Sequence, residues 1–218
     1  MQLSELILFQ NNQFVIANKP AGVPMQPDKT GDKSLMDLLE IYCKSDVFVV
    51  HRLDRPVSGV VVLAKNKKAA ANLSKQFQGK TVTKNYLAVV KEAPKEKEGM
   101  LTHYLKKVGK QEKTFNEPTE GAQEAILSYK TLTASDNYLL LEITPATGRF
   151  HQIRAQLSAI GSPIKGDVKY GFRRGNEDRS IHLHAWKLTF NHPVSNQTLS
   201  YEAPIPVDNL WNTLCEGI

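Results

Sequence analysis

Apolar positions along this chain fall into short blocks separated by turn residues, and most blocks read as strands. Phe14-Val15-Ile16-Ala17 is one such block, closed by the turn chemistry of Asn18-Lys19-Pro20-Ala21-Gly22-Val23-Pro24. Val47-Phe48-Val49-Val50 predicts a buried strand that runs directly into His51-Arg52-Leu53-Asp54. Ser58-Gly59 then turns the chain into a second buried strand over 60–64. Further strands are expected at 86–90, 138–144 and 183–190.

A helical period appears in three places. Ser34 is placed to cap a helix over 34–44 with Leu35, Leu38, Leu39 and Tyr42 in one stripe. Asn66 caps a second helix over 67–78, which Gly79 ends. The third, over 150–160, turns Phe150, Ile153, Leu157 and Ile160 inward and stops at Gly161. Many strands with three helices predict an α+β class: a mostly antiparallel mixed β-sheet with a few flanking helices. The expected organisation is a single domain over 1–218, with 91–120 and 168–180 as surface loops or hairpins. The first of these segments is rich in Lys and Glu and carries Gly99 and Gly109.

Composition narrows the classes. The chain has 218 residues, 41% hydrophobic and 23% charged, which is ordinary for a folded globular protein. A net charge of +6 favours polyanionic partners, because each neutralised phosphate releases counterions. Cys43 and Cys215 lie far apart and in no metal-type spacing, which fits reduced thiols. The N-terminus has no signal-peptide pattern and no apolar run is long enough to cross a bilayer. A cytoplasmic location is expected, with no membrane association.

Three residues stand out as possible chemistry. Asp54 follows an apolar strand and precedes a sharp turn marked by Pro56, Ser58 and Gly59, with Arg52 and Arg55 on either side. A carboxylate so placed projects from a rigid support. Arg154 shares a helix flank with His151 and Ser158, and its guanidinium could hold a carboxylate by a forked pair of hydrogen bonds. Tyr86 offers an aromatic face and a phenol at the start of a strand. Each has a plain alternative: a charged surface turn, a solvated helix arginine, a core tyrosine.

Taken together, these segments resemble a known family. Val50-His51-Arg52-Leu53-Asp54-Arg55-Pro56-Val57-Ser58-Gly59-Val60-Val61-Val62-Leu63-Ala64-Lys65 resembles the signature of RluA-type RNA pseudouridine synthases. Lys84-Asn85-Tyr86-Leu87-Ala88 is similar to that family's tyrosine motif. Gly148-Arg149-Phe150-His151-Gln152-Ile153-Arg154, continued by Gly161-Ser162-Pro163-Ile164-Lys165-Gly166-Asp167, is similar to its arginine motif. Lys19-Pro20-Ala21-Gly22, Leu183-His184-Ala185 and Phe190-Asn191-His192-Pro193 also match, so the resemblance spans roughly residues 14 to 206.

The resemblance implies the pseudouridine synthase fold with a central RNA-binding cleft, and an isomerase that turns specific uridines of ribosomal RNA or tRNA into pseudouridine. It implies that Asp54 attacks the target uridine, Tyr86 stacks on the base and assists proton transfer, and Arg154 pairs with Asp54. Arg52, Arg149, His151 and Lys65 are the expected substrate-binding residues, and Lys67, Lys68, Lys106, Lys107, Lys110, Arg173 and Arg174 extend the basic face. Two positions depart from the family: Val57 and Phe150 stand where it usually has Thr. The family's small N-terminal S4-like RNA-binding domain is also not expected here, and a monomer is the default.

The chemistry suits these residues. The uracil leaves its ribose, rotates and rejoins through carbon, with no redox change, so neither cofactor nor metal is expected. The sequence has no dinucleotide or phosphate-loop fingerprint. The histidines, notably His182 with His184, and His103 or His151, invite a metal site, but no third ligand stands at a supporting spacing. Two other classes are kept open. One is a catalytically inactive RNA-binding or ribosome-assembly module of the same fold. The other is a nuclease or N-glycosidase using the same carboxylate.

Overall fold

The computed structural model describes residues 2–217. Its elements begin with β1 (Ile7–Gln10), β2 (Phe14–Lys19), α1 (Leu35–Cys43), β3 (Phe48–Val49), β4 (Ser58–Ala64) and α2 (Lys67–Gln78). Next come β5 (Thr83–Val90), β6 (Glu98–Val108), β7 (Gln111–Phe115), β8 (Gln123–Ala134), β9 (Leu139–Pro145) and α3 (Gln152–Ala159). The last are β10 (Leu183–Asn191), β11 (Thr198–Glu202) and α4 (Asn209–Leu214). Short 3-10 turns lie at Leu3–Leu6 and Val168–Tyr170. The class is α+β, strand-rich and mostly antiparallel. The described residues contain no helix long and apolar enough to cross a membrane.

The chain divides into two compact units. The first comprises residues 2–84 and Ala185–Ile205. Within it β2 pairs antiparallel with β1 and β4, β3 pairs with the end of β4, and β11 pairs with β10. The unbroken apolar runs explain the burial. Phe14, Val15, Ile16 and Ala17 are fully buried, as are Val61, Val62, Leu63 and Ala64, so both faces of β2 and β4 are covered. Leu35 and Leu39 of α1 and Ala69 and Leu73 of α2 are buried with them. Each of the larger side chains among them, Val, Leu, Ile or Phe, contributes about 1.5–3 kcal/mol by leaving water. Asn66 caps α2 by accepting from the Ala69 amide at 2.9 Å, and the Gln76 side chain binds both the N–H and the carbonyl of Asn191.

The second unit comprises Asn85–His184 and residues 206–217. Its strands run in the order β5-β9-β8-β6-β7, each pair antiparallel. On β8 only Ala125, Leu127 and Tyr129 are buried, the alternation of a strand with one face inward. The segment expected as loops or hairpins over 91–120 holds β6 and β7. They form a hairpin, and β6 also pairs with β8 from Glu98 to Leu105. In the segment 168–180, Tyr170 is buried with Leu105, Ala125 and Ala155.

Two expectations need correction. The strand expected over 47–50 is only two residues long, and Phe48 and Val49 are half-buried. The third helix starts at Gln152, so Phe150 lies outside it and is 38% exposed rather than inward. The cause is a side-chain cap: the Gln152 amide oxygen accepts from the Arg149 N–H at 3.0 Å and the Thr147 hydroxyl at 2.8 Å. That holds 149–151 as a turn, with His151 in the left-handed region at φ 48°.

Candidate active site

Asp54 sits in a turn of the first unit where the Val57 N–H donates to the Asp54 carbonyl at 3.0 Å. β4 begins four residues later. Gly59, with φ +119°, opens that strand at a point where an added Cβ would lie 2.2 Å from the Ala185 carbonyl oxygen. Only glycine allows that approach. The Asp54 side chain is half-buried.

The turn is fixed from beneath by Lys19. This lysine is fully buried, and its ammonium donates to the carbonyls of Pro20 and Val23 at 2.9 Å and of Arg55 at 3.1 Å. An ammonium has three donors, and three carbonyls meet them. Burial pulls the Lys19 pKa down to about 7, while the negative charge of Asp54 works in the opposite direction. Arg55 pins the same turn to 20–32: its Nε donates to the Gly22 carbonyl at 2.8 Å, and its terminal nitrogens reach Asp28, Thr30 and Asp32. Neither anchor had been assigned a role from the sequence.

His51 is a support for the strand. Its Nε2 accepts from the Val62 N–H at 3.0 Å, and its ring stacks on Phe77 at 4.4 Å. Burial, helped by the Lys84 cation, lowers its pKa to about 3, so the ring is neutral and can accept. Arg52 is exposed beside it. Lys65 follows Ala64 at the far end of the seven-residue β4, roughly 20 Å along the strand from Ser58. It is not brought near Asp54.

In the second unit, Tyr86 lies on β5 opposite Ile143 and is half-buried. Arg154 lies on α3 and is only 4% exposed. Its guanidinium makes a fork with Asp167, Nε to Oδ2 at 2.6 Å and Nη2 to Oδ1 at 2.8 Å. Asp167 is itself 1% exposed and held in a tight turn, its carbonyl accepting from the amides of Tyr170 and Phe172. The Arg154 guanidinium also lies 5.0 Å above the Tyr170 ring. A buried cation that is forked by a carboxylate and stacked on an aromatic ring has little freedom to turn.

The flank expected to carry His151, Arg154 and Ser158 packs against the 167–170 turn. The His151 Nδ1 is 2.8 Å from the Tyr170 hydroxyl, and the Ser158 hydroxyl donates to the Tyr170 carbonyl at 2.6 Å. Burial first, then the cations of Arg154, Lys169 and Lys107, lowers the His151 pKa to about 3. The His151 ring is therefore neutral near pH 7. Arg149 is exposed and its Nε donates to the Glu124 carbonyl at 3.0 Å. His182 faces Asp208 at 3.1 Å, its Nδ1 accepts from the Asn176 amide nitrogen at 3.0 Å, and its ring stacks on Trp211. Among the described residues, no three His, Cys, Asp or Glu side chains gather as metal ligands would.

Comparison with known proteins gives the family. A family model described as RNA pseudouridylate synthase matches residues 13–159. The chain is 34% identical over 230 residues to tRNA pseudouridine synthase C of Vibrio parahaemolyticus, covering 95% of this chain and 92% of that one. It is 34% identical over 219 residues to the RNA pseudouridine synthase YhcT of Bacillus subtilis, covering 95% and 71%. Among solved structures, human RNA pseudouridylate synthase domain containing 4 superposes with a TM-score of 0.79 at 25% identity, covering 98% and 93%. The human domain containing 1 does so with 0.79 at 26%, covering 98% and 89%.

Proposed function

We propose that Asp54 is the catalytic carboxylate of this chain, which belongs to the RNA pseudouridylate synthase family and is an isomerase that converts uridine in RNA to pseudouridine. The observation that carries the proposal is how the Asp54 turn is held. A fully buried ammonium caps three carbonyls around it, and Arg55 ties it to a second loop, so the carboxylate stands on an immobile base. Fixed placement of an attacking group is what lowers the barrier of such a step.

The isomerisation breaks the bond from ribose C1′ to uracil N1 and forms one from C1′ to uracil C5. The C5 proton leaves for solvent and N1 gains one, so nothing is added overall. Asp54 supplies the carboxylate that attacks and later departs, and Arg154, immobilised by Asp167, serves as its cationic partner. Tyr86 stacks on the base and assists removal of the C5 proton. Reaching a carboxylate on a protein turn requires the target base to leave its stack, which costs a few kcal/mol.

We take tRNA as the substrate class, on the strength of the near full-length similarity to tRNA pseudouridine synthase C of Vibrio parahaemolyticus. The protein would act as a monomer in the cytoplasm. The deciding experiment is a comparison of pseudouridine maps of tRNA and ribosomal RNA from cells with and without the gene. A uridine left unmodified in tRNA of the deletion strain supports the assignment. Loss confined to ribosomal RNA overturns the substrate class, and no loss in either overturns the activity in the cell.

A further inference from the structure

Phe150 stands where the family usually has Thr, and it is not part of the core. It is 38% exposed, in the turn just before α3. One face of its ring stacks on His151, centroids 3.7 Å apart and planes 22° from parallel. The Lys107 ammonium, from the exposed end of β6, lies 5.1 Å from the ring centroid. An aromatic pair presented at the surface beneath an exposed cation has the make-up of a nucleotide-stacking site.

We propose that Phe150, backed by His151, is a stacking platform for an unpaired base flanking the target uridine, and that Lys107 swings from the ring to that nucleotide's phosphate. The inference rests on the activity assigned above, since it names a specificity contact for the same RNA.

Three observations favour an RNA base as occupant. His151 is fixed from behind by the 2.8 Å contact with the Tyr170 hydroxyl, and that hydroxyl also accepts from the Glu112 N–H at 2.9 Å. The stacked pair is therefore rigid before any ligand arrives. Tyr170 carries Arg154 on its ring face, so the platform is joined through one side chain to the arginine assigned to the reaction. Two exposed cations border the ring, Lys107 over it and Arg149 next to it in the chain, which suits a phosphate chain. A cation–π contact at an exposed site is weaker than stacking of a base, so a base would displace Lys107 from the ring.

The role is one of positioning and specificity. Phe150→Ala should raise KM by about 10-fold with kcat nearly unchanged, the effect of losing one stacked base. Phe150→Tyr should restore the wild-type KM, and Lys107→Gln should reduce the slope of log affinity against log salt by about 1. Turnover would be read as release of tritium from RNA labelled at uracil C5, with tRNA and ribosomal fractions from cells lacking the gene assayed separately. An unchanged KM in Phe150→Ala overturns the platform.

A second measurement reads the contact itself. Phe150→Trp, in a background of Asp54→Asn and with the two native tryptophans as reference, should lose emission when that RNA is added. Emission unaffected by saturating RNA contradicts stacking. Because this reads contact rather than turnover, a quench supports the platform even if Asp54→Asn proves active, which would defeat only the catalytic assignment.

Discussion

Arg154 and Asp167 form a two-bond fork inside the second unit, with both side chains almost entirely removed from solvent. They stand 13 positions apart in sequence, and the intervening chain turns at Gly161 and Gly166, both with positive φ. The fork leaves Arg154 pre-oriented, and on the role proposed for Arg154 it would make Asp167 a positioning residue.

Breaking that fork has a defined expected cost. Asp167→Asn keeps the shape but leaves a buried guanidinium without its countercharge, which destabilises by about 3–5 kcal/mol. Thermal unfolding should shift down accordingly, and kcat should fall by more than the residual folded fraction explains. Arg154→Lys should not rescue activity, because an ammonium cannot reproduce a planar fork. Wild-type kcat in either variant would contradict the assigned role.

Lys19 invites a parallel test. Lys19→Met fills similar space but strands the carbonyls of Pro20 and Val23, while that of Arg55 keeps the Gly22 N–H at 2.8 Å. Leaving buried acceptors unpaired should cost about 2–4 kcal/mol. Turnover should drop with stability, since the turn beside Asp54 loses its anchor. Urea unfolding monitored by tryptophan fluorescence would measure the first effect and tritium release the second.

Acid sensitivity follows from His182, whose side chain is 6% exposed. Burial first, then the Lys165 cation, lowers its pKa to about 4 in the folded protein, against the opposing pull of Asp208. The unfolded chain therefore binds a proton that the folded chain does not between pH 6.5 and 4. Stability is complete above that window and is lost as pH falls through it, by at most about 1.4 kcal/mol per unit for this one residue. His182→Gln should flatten that part of the stability profile. An unchanged slope in the variant would refute the assignment.

The parts of the site that were legible in the sequence are those defined by local pattern. An apolar run before Asp54, then Pro56, Ser58 and Gly59, names a strand, a turn and a strand; the turn closes at Val57 and β4 starts at Ser58, so Ser58 and Gly59 belong to the strand rather than to the turn. The sequence marks Asp167 only as the end of a motif, because no helical or strand period links it to Arg154. Lys19 looked like part of a loop; nothing local marks a lysine whose three donors are all met by carbonyls. β8 was not anticipated, since its inward residues Ala125, Leu127 and Tyr129 alternate with Ile126, Ser128 and Lys130 and form no apolar block. The placement of Phe150 failed for a definite reason: a glutamine supplied the cap, and glutamine is not among the usual helix-starting residues.

The most direct measurement of the central claim is the Asp54→Asn variant assayed on RNA carrying tritium at uracil C5, alongside its affinity for the same RNA. Binding within about 3-fold of wild type, an unchanged melting temperature and no tritium release above the enzyme-free control are expected. Release at the wild-type rate would contradict the assignment of Asp54 as the catalytic carboxylate.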